Sequence, residues 1–291
     1  MIELSENHFM YVDTCPWCGA APRNMLYQSK YMARVQKCMK CGFVYSDKIL
    51  NKSGLEAYWS HYLSEIHTKD AEAVAKRNVM YELEFQFINQ YIDCEGKKVL
   101  DVGCGNGDFL NLFQQANAHC YGVEYGAEAA EAASARYPVW TGEFPYIKDI
   151  NILFDLIIFR GSLQYCIYPK KYLKRAVELL NGGGILYITS SPNAQSLCFQ
   201  LFKENFTLPV GVADYYAFSE PILTEYINSL QGRLVGKYQF YEETPYANIY
   251  DDIISVAKAI TYKRQNRPID FRSPAFYNNM LTLVYQKTDF R

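Results

Sequence analysis

The sequence predicts an α/β chain built on a doubly wound parallel sheet, with a small cysteine-held module ahead of it. Three observations carry this. From residue 71 onward short apolar runs alternate with helical stretches, the pattern of a parallel sheet covered by helices on both faces. The first run ends in the glycine turn Asp101-Val102-Gly103-Cys104-Gly105-Asn106-Gly107. Two C-x-x-C-G pairs, Cys15–Gly19 and Cys38–Gly42, precede that run.

The 291 residues suffice for one large domain and one small one. No apolar run is long enough to span a membrane, so no transmembrane helix is expected. The acidic start, Met1-Ile2-Glu3-Leu4-Ser5-Glu6, lacks the apolar stretch of a signal peptide. A net charge of −2 argues against nucleic-acid and membrane-surface partners, which call for excess Lys and Arg. Of nine cysteines four are paired as C-x-x-C and five are scattered, which suits a reducing cytoplasm and a metal site better than a disulfide framework.

Residues 1–52 form the first module. Each C-x-x-C pair can bend around an ion as a knuckle, and the glycine after its second cysteine relieves the turn. Cys15, Cys18, Cys38 and Cys41 therefore read as a closed, structural zinc site in a zinc ribbon. Leu26-Tyr27 and Tyr31–Val35 supply its short strands. Arg23–Lys52 holds seven basic residues and one acidic one, which reads as a solvated ribbon surface rather than an RNA-binding patch.

The remaining chain, 53–291, begins with an aromatic bridge, 53–70, containing Tyr58, Trp59, His61, Tyr62 and His67. It is a linker packed on the main domain or a lid over a pocket. A helix is expected over 71–93, with Met80, Leu83, Phe87, Ile88, Tyr91 and Ile92 on its buried face. Strands follow at Lys98–Val102, Cys120–Glu124, Val139–Thr141, Phe154–Phe159 and Ile185–Thr189. Between them come a short helix presenting Leu110 and Phe113, an Ala-rich helix at Gly126–Arg136, and a helix at Lys170–Leu180 stopped by Asn181-Gly182-Gly183-Gly184. Later stretches predict helices at Gln195–Lys203 and Ser219–Leu230, a loop at Pro209–Phe218 and a strand at Leu234–Tyr241. An insertion at 244–277 opens with a helix presenting Ile249, Ile253, Val256 and Ile260, and Met280–Tyr285 is the last strand.

Ligands of doubly wound sheets bind at the carboxyl ends of the strands. There a glycine turn and the following helix N-terminus form a nucleotide-type pocket. Glu124, ending the next strand, can accept hydrogen bonds from ribose hydroxyls. Glu143 and Phe144 follow the third strand, where an adenine would lie. A dinucleotide would place its pyrophosphate on the turn, but Asp101 precedes the turn and Asp108 follows it. Carboxylates there repel phosphate and favour an ammonium. S-adenosylmethionine (SAM) has an ammonium, a carboxylate and a sulfonium and no phosphate, so the charge pattern favours it.

With Asp101–Gly107, Glu124, Phe154–Phe159 and Gly182–Gly184 in place, the chain resembles the class I SAM-dependent methyltransferases over roughly 71–243. With its paired knuckles it is similar to bacterial sugar methyltransferases that act on nucleotide-linked deoxysugars. The resemblance implies a Rossmann-like, seven-stranded sheet whose last strand is antiparallel. It implies that Asp101 and the Gly103 backbone hold the methionine amino group, with Cys104, Gly105 and Gly107 completing the turn. Glu124 and Tyr125 would hold the ribose, Glu143 and Phe144 would flank adenine, and the Arg160-Gly161 backbone would face the methionine moiety. Two departures stand out. Relatives often carry Leu-Glu-His after the fourth strand where this chain has Leu163-Gln164-Tyr165. The sugar C-methyltransferases also have a further C-terminal domain. Both favour a smaller O- or N-methyltransferase relative.

The expected activity is therefore SAM-dependent methylation of a small molecule, such as a nucleotide-linked sugar, on O, N or C. An RNA base methyltransferase with a zinc module and a non-catalytic SAM-binding partner protein are the alternatives. The oligomeric state is open. Alignment of acceptor, methyl and sulfur is the larger catalytic contribution, and a base adds to it. Candidates for the base or for acceptor positioning are Tyr165, Asp214, Tyr216 and His61, with His67 and Tyr215 beside them. Tyr165 leads, because it follows the fourth strand on the methyl-donor side.

Overall fold

The computed structural model describes residues 4–29, 32–60, 63–212 and 214–288. His61, Tyr31 and Tyr62 lie outside the described residues. The N-terminal module contains β1 (Phe9–Tyr11), β2 (Arg23–Gln28), β3 (Arg34–Cys38), β4 (Val44–Ser46) and β5 (Lys48–Leu50). The bridge folds as α1 (Lys52–Trp59) and one wide helical turn, Leu63–His67. Asn51 caps α1 by accepting from the Gly54 amide at 3.0 Å.

Helix α2 (Ala71–Ile88) starts at Asp70, whose carboxylate accepts from the amides of Glu72 and Ala73. It ends five residues before the expected 93, because Asn89 closes it and the chain turns. Its buried face is Tyr81, Glu84, Phe87 and Ile88, so a carboxylate sits where the apolar spacing predicted Leu83.

The core then runs β6 (Lys98–Val102), α3 (Leu110–Gln115), β7 (His119–Glu124), α4 (Ala127–Ser134), β8 (Val139–Thr141), β9 (Phe154–Arg160), α5 (Pro169–Leu179) and β10 (Leu180–Pro192). After it come α6 (Leu197–Phe202), β11 (Tyr216–Ala217), α7 (Glu220–Ser229), β12 (Gly232–Lys237), α8 (Ile249–Arg264) and β13 (Met280–Lys287). Seven strands form one sheet in the order β12-β13-β10-β9-β6-β7-β8. β6, β7, β8, β9 and β10 are parallel, and β13 is antiparallel to both its neighbours, β10 and β12. This is the expected α/β sheet with an antiparallel last strand.

Alternation along the central strands divides the core in two. Val99, Leu156, Ile158 and Tyr187 pack with Tyr81 and Phe87 of α2 and with Leu110 and Phe113 of α3. Leu100, Ile157, Phe159 and Ile188 face the other way, toward Leu173 and Val177 of α5 and Leu223 and Ile227 of α7. That second core continues into Trp17, Phe43 and Tyr45 of the N-terminal module.

The cysteine module shares more than a core with the rest. Its sheet has the order β11-β4-β3-β2, so its edge strand comes from the Pro209–Phe218 loop. Tyr216 pairs with Tyr45 and Ala217 with Val44. The loop reads as irregular in sequence because a two-residue strand has no periodicity to detect. In the insertion, α8 buries Asp252, Val256 and Ala259, while Ile249 and Ile253 of the predicted face are about half exposed. Asp252 anchors that turned face by accepting from the Tyr241 hydroxyl at 2.9 Å.

Candidate functional site

A pocket opens at the carboxyl ends of β6, β7 and β9, walled by the bridge and by α2. Its floor is the glycine turn. Gly103 has φ +85°, and a Cβ there would lie 2.6 Å from the Ser162 Cβ. Only glycine fits, because Ser162 must come close enough to donate to the Val102 carbonyl at 2.5 Å. That bond ties the turn after β6 to the loop after β9.

Glu124, at the end of β7, organises the turn. Its Oε2 accepts from the Gly105 amide and its Oε1 from the amides of Tyr125 and Gly126, all at 2.8 Å. Burial raises its affinity for a proton, and these three amides oppose that. A carboxylate offers about four lone-pair sites, so Oε2 keeps one for a ligand hydroxyl.

Asp101 is the last residue but one of β6 and is 2% exposed. Its Oδ1 has no hydrogen-bond partner among the described residues. Burial pushes its carboxyl up to about 7, with Arg160 opposing and Glu124 and Glu84 adding to the rise. A buried carboxylate with an unfilled acceptor suits a cationic donor brought by a ligand.

Arg160 ends β9 and pairs with Glu84 of α2. Burial works against its charge, but Glu84, Tyr81 and Asp101 together outweigh burial and hold the guanidinium protonated. Glu84 also accepts from the Thr189 hydroxyl at 3.0 Å and the Ser190 hydroxyl at 2.8 Å. The Arg160 guanidinium lies 4.3 Å from the centre of the Tyr81 ring. Arg77, half-buried on α2, donates to the His67 carbonyl at 2.9 Å. Burial, then Arg77, lowers the His67 ring to about 4.

Most of the residues expected around the ligand meet here: Asp101, Gly103, Cys104, Gly105, Glu124, Tyr125, Glu143, Phe144, Arg160 and Gly161 all line the pocket. Gly107 is set back against the Tyr137 ring. Asp108 does not line the pocket, contrary to the charge argument from sequence. Its carboxylate accepts from Asn106 at 2.7 Å and meets Arg136 at 3.3 Å, so the case against phosphate rests on Asp101. The sequence reading missed Glu84, Arg77 and Tyr81. Their signal was the i, i+4, i+7, i+11 spacing of Arg77, Tyr81, Glu84 and Ile88, one helix stripe that mixes charge with apolar residues.

The bridge covers this pocket. Trp59, Leu55 and His67 line it, and the Trp59 carbonyl approaches Gly126 so closely that a Cβ there would be 2.8 Å away. Tyr165 also lines the pocket, with its ring edge-on to Trp59 at 5.0 Å between centroids. Asp214, whose carboxyl burial pushes up to about 6 while Tyr165 opposes the rise, does not line it. Tyr216 stands elsewhere: its hydroxyl donates to the Ile167 carbonyl at 2.9 Å.

The four N-terminal cysteines converge, with all Sγ atoms within 4.8 Å of one another. Cys15 and Cys41 are 3.7 Å apart, Cys18 and Cys38 3.6 Å. Four sulfurs about 2.3 Å from one tetrahedral ion would be about 3.8 Å apart, so the donor set fits. The two knuckles repeat the same bonds: Gly19 N–H donates to Cys15 C=O at 2.8 Å and Gly42 N–H to Cys38 C=O at 2.9 Å.

The sequence profile of the methyltransferase domain family matches residues 71–254. The ubiquinone biosynthesis O-methyltransferase of Coxiella burnetii (strain RSA 493 / Nine Mile phase I) is 28% identical over 159 residues, covering 50% of this chain and 68% of the relative. That of Pseudomonas fluorescens (strain SBW25) is 25% identical over 152 residues, 48% of this chain and 65% of the relative. The fold is similar to magnesium protoporphyrin IX methyltransferase from Synechocystis PCC 6803 with bound SAH: TM-score 0.57, 11% identity, 82% of this chain and 100% of that one. It is also similar to a SAM-dependent methyltransferase from Thermotoga maritima, with TM-score 0.53, 16% identity, and 78% and 99% coverage.

Proposed function

Because this chain belongs to the methyltransferase domain family and takes its methyl group from SAM, we propose that it methylates a hydroxyl on a small ring-shaped acceptor held between the bridge and the loop after β9. The observation that carries this reading is the unpartnered, buried Asp101 carboxylate beside a glycine turn. It asks for a cation, and the ammonium of SAM is one.

In this reading Asp101 and the Gly103 and Gly105 backbone hold the methionine ammonium. Arg160 and Arg77 face its carboxylate. Glu124 accepts from the ribose, with Tyr125 beside it, and Glu143 and Phe144 flank adenine. Bound SAM supplies a methyl group already activated by the sulfonium. The chain's own work is alignment and exclusion of water, where Trp59 and Tyr165 close the pocket. A hydroxyl acceptor is supported by the O-methyltransferase relatives. A nucleotide-linked sugar is the second reading, favoured by the four-cysteine module ahead of the core.

Zinc is the ion we assign to Cys15, Cys18, Cys38 and Cys41. Four thiolates saturate a tetrahedral site, so its role is structural. Among the described residues, neither the bridge nor the pocket offers a strip of basic residues for RNA.

Calorimetry with SAM and SAH, then methyl transfer to catechols, phenols and nucleotide-linked sugars, tests the reading. Binding of SAM with turnover of ring hydroxyls supports it. Turnover confined to amines or RNA overturns it.

A further inference from the structure

The insertion at 244–277 takes no part in the pocket: among the described residues none of it lines the ligand site. It carries the 16-residue helix α8, which is apolar on two sides. One side is spoken for. Val256 and Ala259 pack in one cluster with Cys198, Phe199 and Phe202 of α6. Asp252, between them and the helix start, accepts from the Tyr241 hydroxyl and the Asn248 amide, both at 2.9 Å.

The opposite side faces water. Tyr250, Ile253, Ile254 and Ala257 follow the i, i+3, i+4, i+7 spacing of a single stripe. Tyr250 is 76% exposed, and Ile253 and Ile254 are about half exposed. A contiguous apolar patch rimmed by polar residues marks an interaction surface rather than a solvated face.

The charges beside the stripe say what covers it. Asp251 and Lys258 are exposed and seven residues apart, two helical turns, so they share one flank of the stripe. The Asp251 carboxylate accepts from the Asn248 side chain of its own cap, and the Lys258 ammonium lies 4.5 Å from the centre of the Phe271 ring. Neither is neutralised by an opposite charge among the described residues. A helix laid antiparallel on its own copy brings each flank against the same flank of the copy, read in reverse. With the dyad beside Ile254, Asp251 meets Lys258 of the second copy, and Lys258 meets its Asp251. The same register sets the two Ile254 side chains together and Tyr250, the bulkiest residue of the stripe, against Ala257, the smallest. The first turn holds Asp251 and Asp252 and the last Lys263 and Arg264, so opposite charges and opposite helix dipoles meet at the ends as well. A parallel pairing would set Asp251 level with Asp251 and Lys258 level with Lys258.

We propose that α8 is a self-association surface, on which two copies of this chain pair antiparallel about a two-fold axis beside Ile254. A helix of 16 residues is about 24 Å long and about 10 Å across, so the helix pair alone buries less than the ~1,200 Å² at which standard interfaces begin. The dimer is therefore reversible and forms at micromolar concentration. A lipid surface is the poorer fit, because helices that lie on membranes carry Lys and Arg beside their apolar stripe. Here Ile249–Ala257, which holds the stripe, has two aspartates and no basic residue. The pairing does not depend on the acceptor proposed above.

Sedimentation equilibrium of the full chain, from micromolar to submillimolar concentration, tests the surface. The mass should rise from one chain toward two. Ile254→Asp sets like charges together at the dyad and should weaken association at least about tenfold. Its thermal unfolding midpoint should match that of wild type, which shows that the fold is kept. Charge exchange reads the pairing itself. Asp251→Lys and Lys258→Asp should each weaken self-association, because each sets like charges opposite one another. An equimolar mixture of the two should form a mixed dimer, and the double variant should associate as wild type does. A mass of one chain at every concentration, a dimer that Ile254→Asp leaves intact, or single charge variants that associate no better mixed than alone overturns the proposal. So does a chain that stays monomeric but binds phosphatidylglycerol vesicles in a manner that Ile254→Asp abolishes, since the face then belongs to a membrane.

Discussion

Asp101→Asn separates binding from stability in opposite directions. In the folded chain burial moves the Asp101 carboxyl from 3.8 to about 7. An acid with a raised folded value binds protons more tightly folded than unfolded. Its cost to stability is therefore absent below pH 3.8, grows through the window from 3.8 to about 7, and is complete above it. That rise corresponds to about 4 kcal/mol above pH 7. Asp101→Asn keeps the shape and removes the charge, so the ligand-free variant should be more stable than wild type at pH 8 and equal to it near pH 4. Urea unfolding at the two pH values measures the difference. SAM binding should change the other way. Losing one charged hydrogen bond costs about 1.5–3 kcal/mol, or roughly 10- to 150-fold in Kd. In wild type near pH 6, SAM binding should release roughly 0.9 proton as its ammonium forces Asp101 to ionise. Calorimetry in buffers of different ionisation enthalpy counts that proton. A variant that binds SAM as wild type does, or that is less stable at pH 8, refutes the assignment of Asp101.

Glu84→Gln leaves the Arg160 guanidinium buried without its counter-charge, and denaturant unfolding should show a loss of about 3–5 kcal/mol. Gly103→Ala sets a methyl 2.6 Å from the Ser162 Cβ at φ +85°; it should abolish SAM binding measured by calorimetry, because either the turn or the Ser162 contact must open. Mass spectrometry under native conditions should find one zinc per chain. Cys38→Ser should release it, with loss of SAM-dependent turnover as well as of the module's fold, since β4 holds β11 and Ser46 holds Tyr215. A folded, active, zinc-free Cys38→Ser variant would count against the structural role of the metal.

The sheet was readable because its strands are apolar runs closed by charged or glycine residues, and period alone locates such runs. Val139–Thr141 and the glycine turn fall where the sequence puts them. Residues in the ligand pocket were readable where they sit at strand ends, as Asp101 and Glu124 do. What escaped came from helices. Glu84 shares a face with Tyr81 and Ile88, yet a glutamate in a helix reads as solvent-facing until its partner is known, and Arg160 is 76 residues away. Asp108 misled for the same reason, since sequence gives its position at the turn but not that Arg136 draws it outward. β11 was invisible because its pairing with β4 depends on contact between distant segments.

The charges in the pocket bear on turnover as well as binding. Asp101 and Glu124 are buried there with Arg160, whose charge Glu84 offsets. The bound donor arrives with an ammonium, a carboxylate and a sulfonium, a net positive charge, and leaves as a thioether with none. In a site of low dielectric and negative balance, that lost charge weakens the product's hold relative to the donor's. The same balance disfavours a pyrophosphate, although Asp108 faces away. SAM should therefore bind more tightly than SAH, the gap should narrow as salt rises only where the bridge lets ions reach the pocket, and Asp101→Asn should weaken both by a similar factor because both carry the ammonium. A variant that instead removed the difference between SAM and SAH would place Asp101 at the sulfonium, not at the ammonium, and would turn the donor end for end in the pocket.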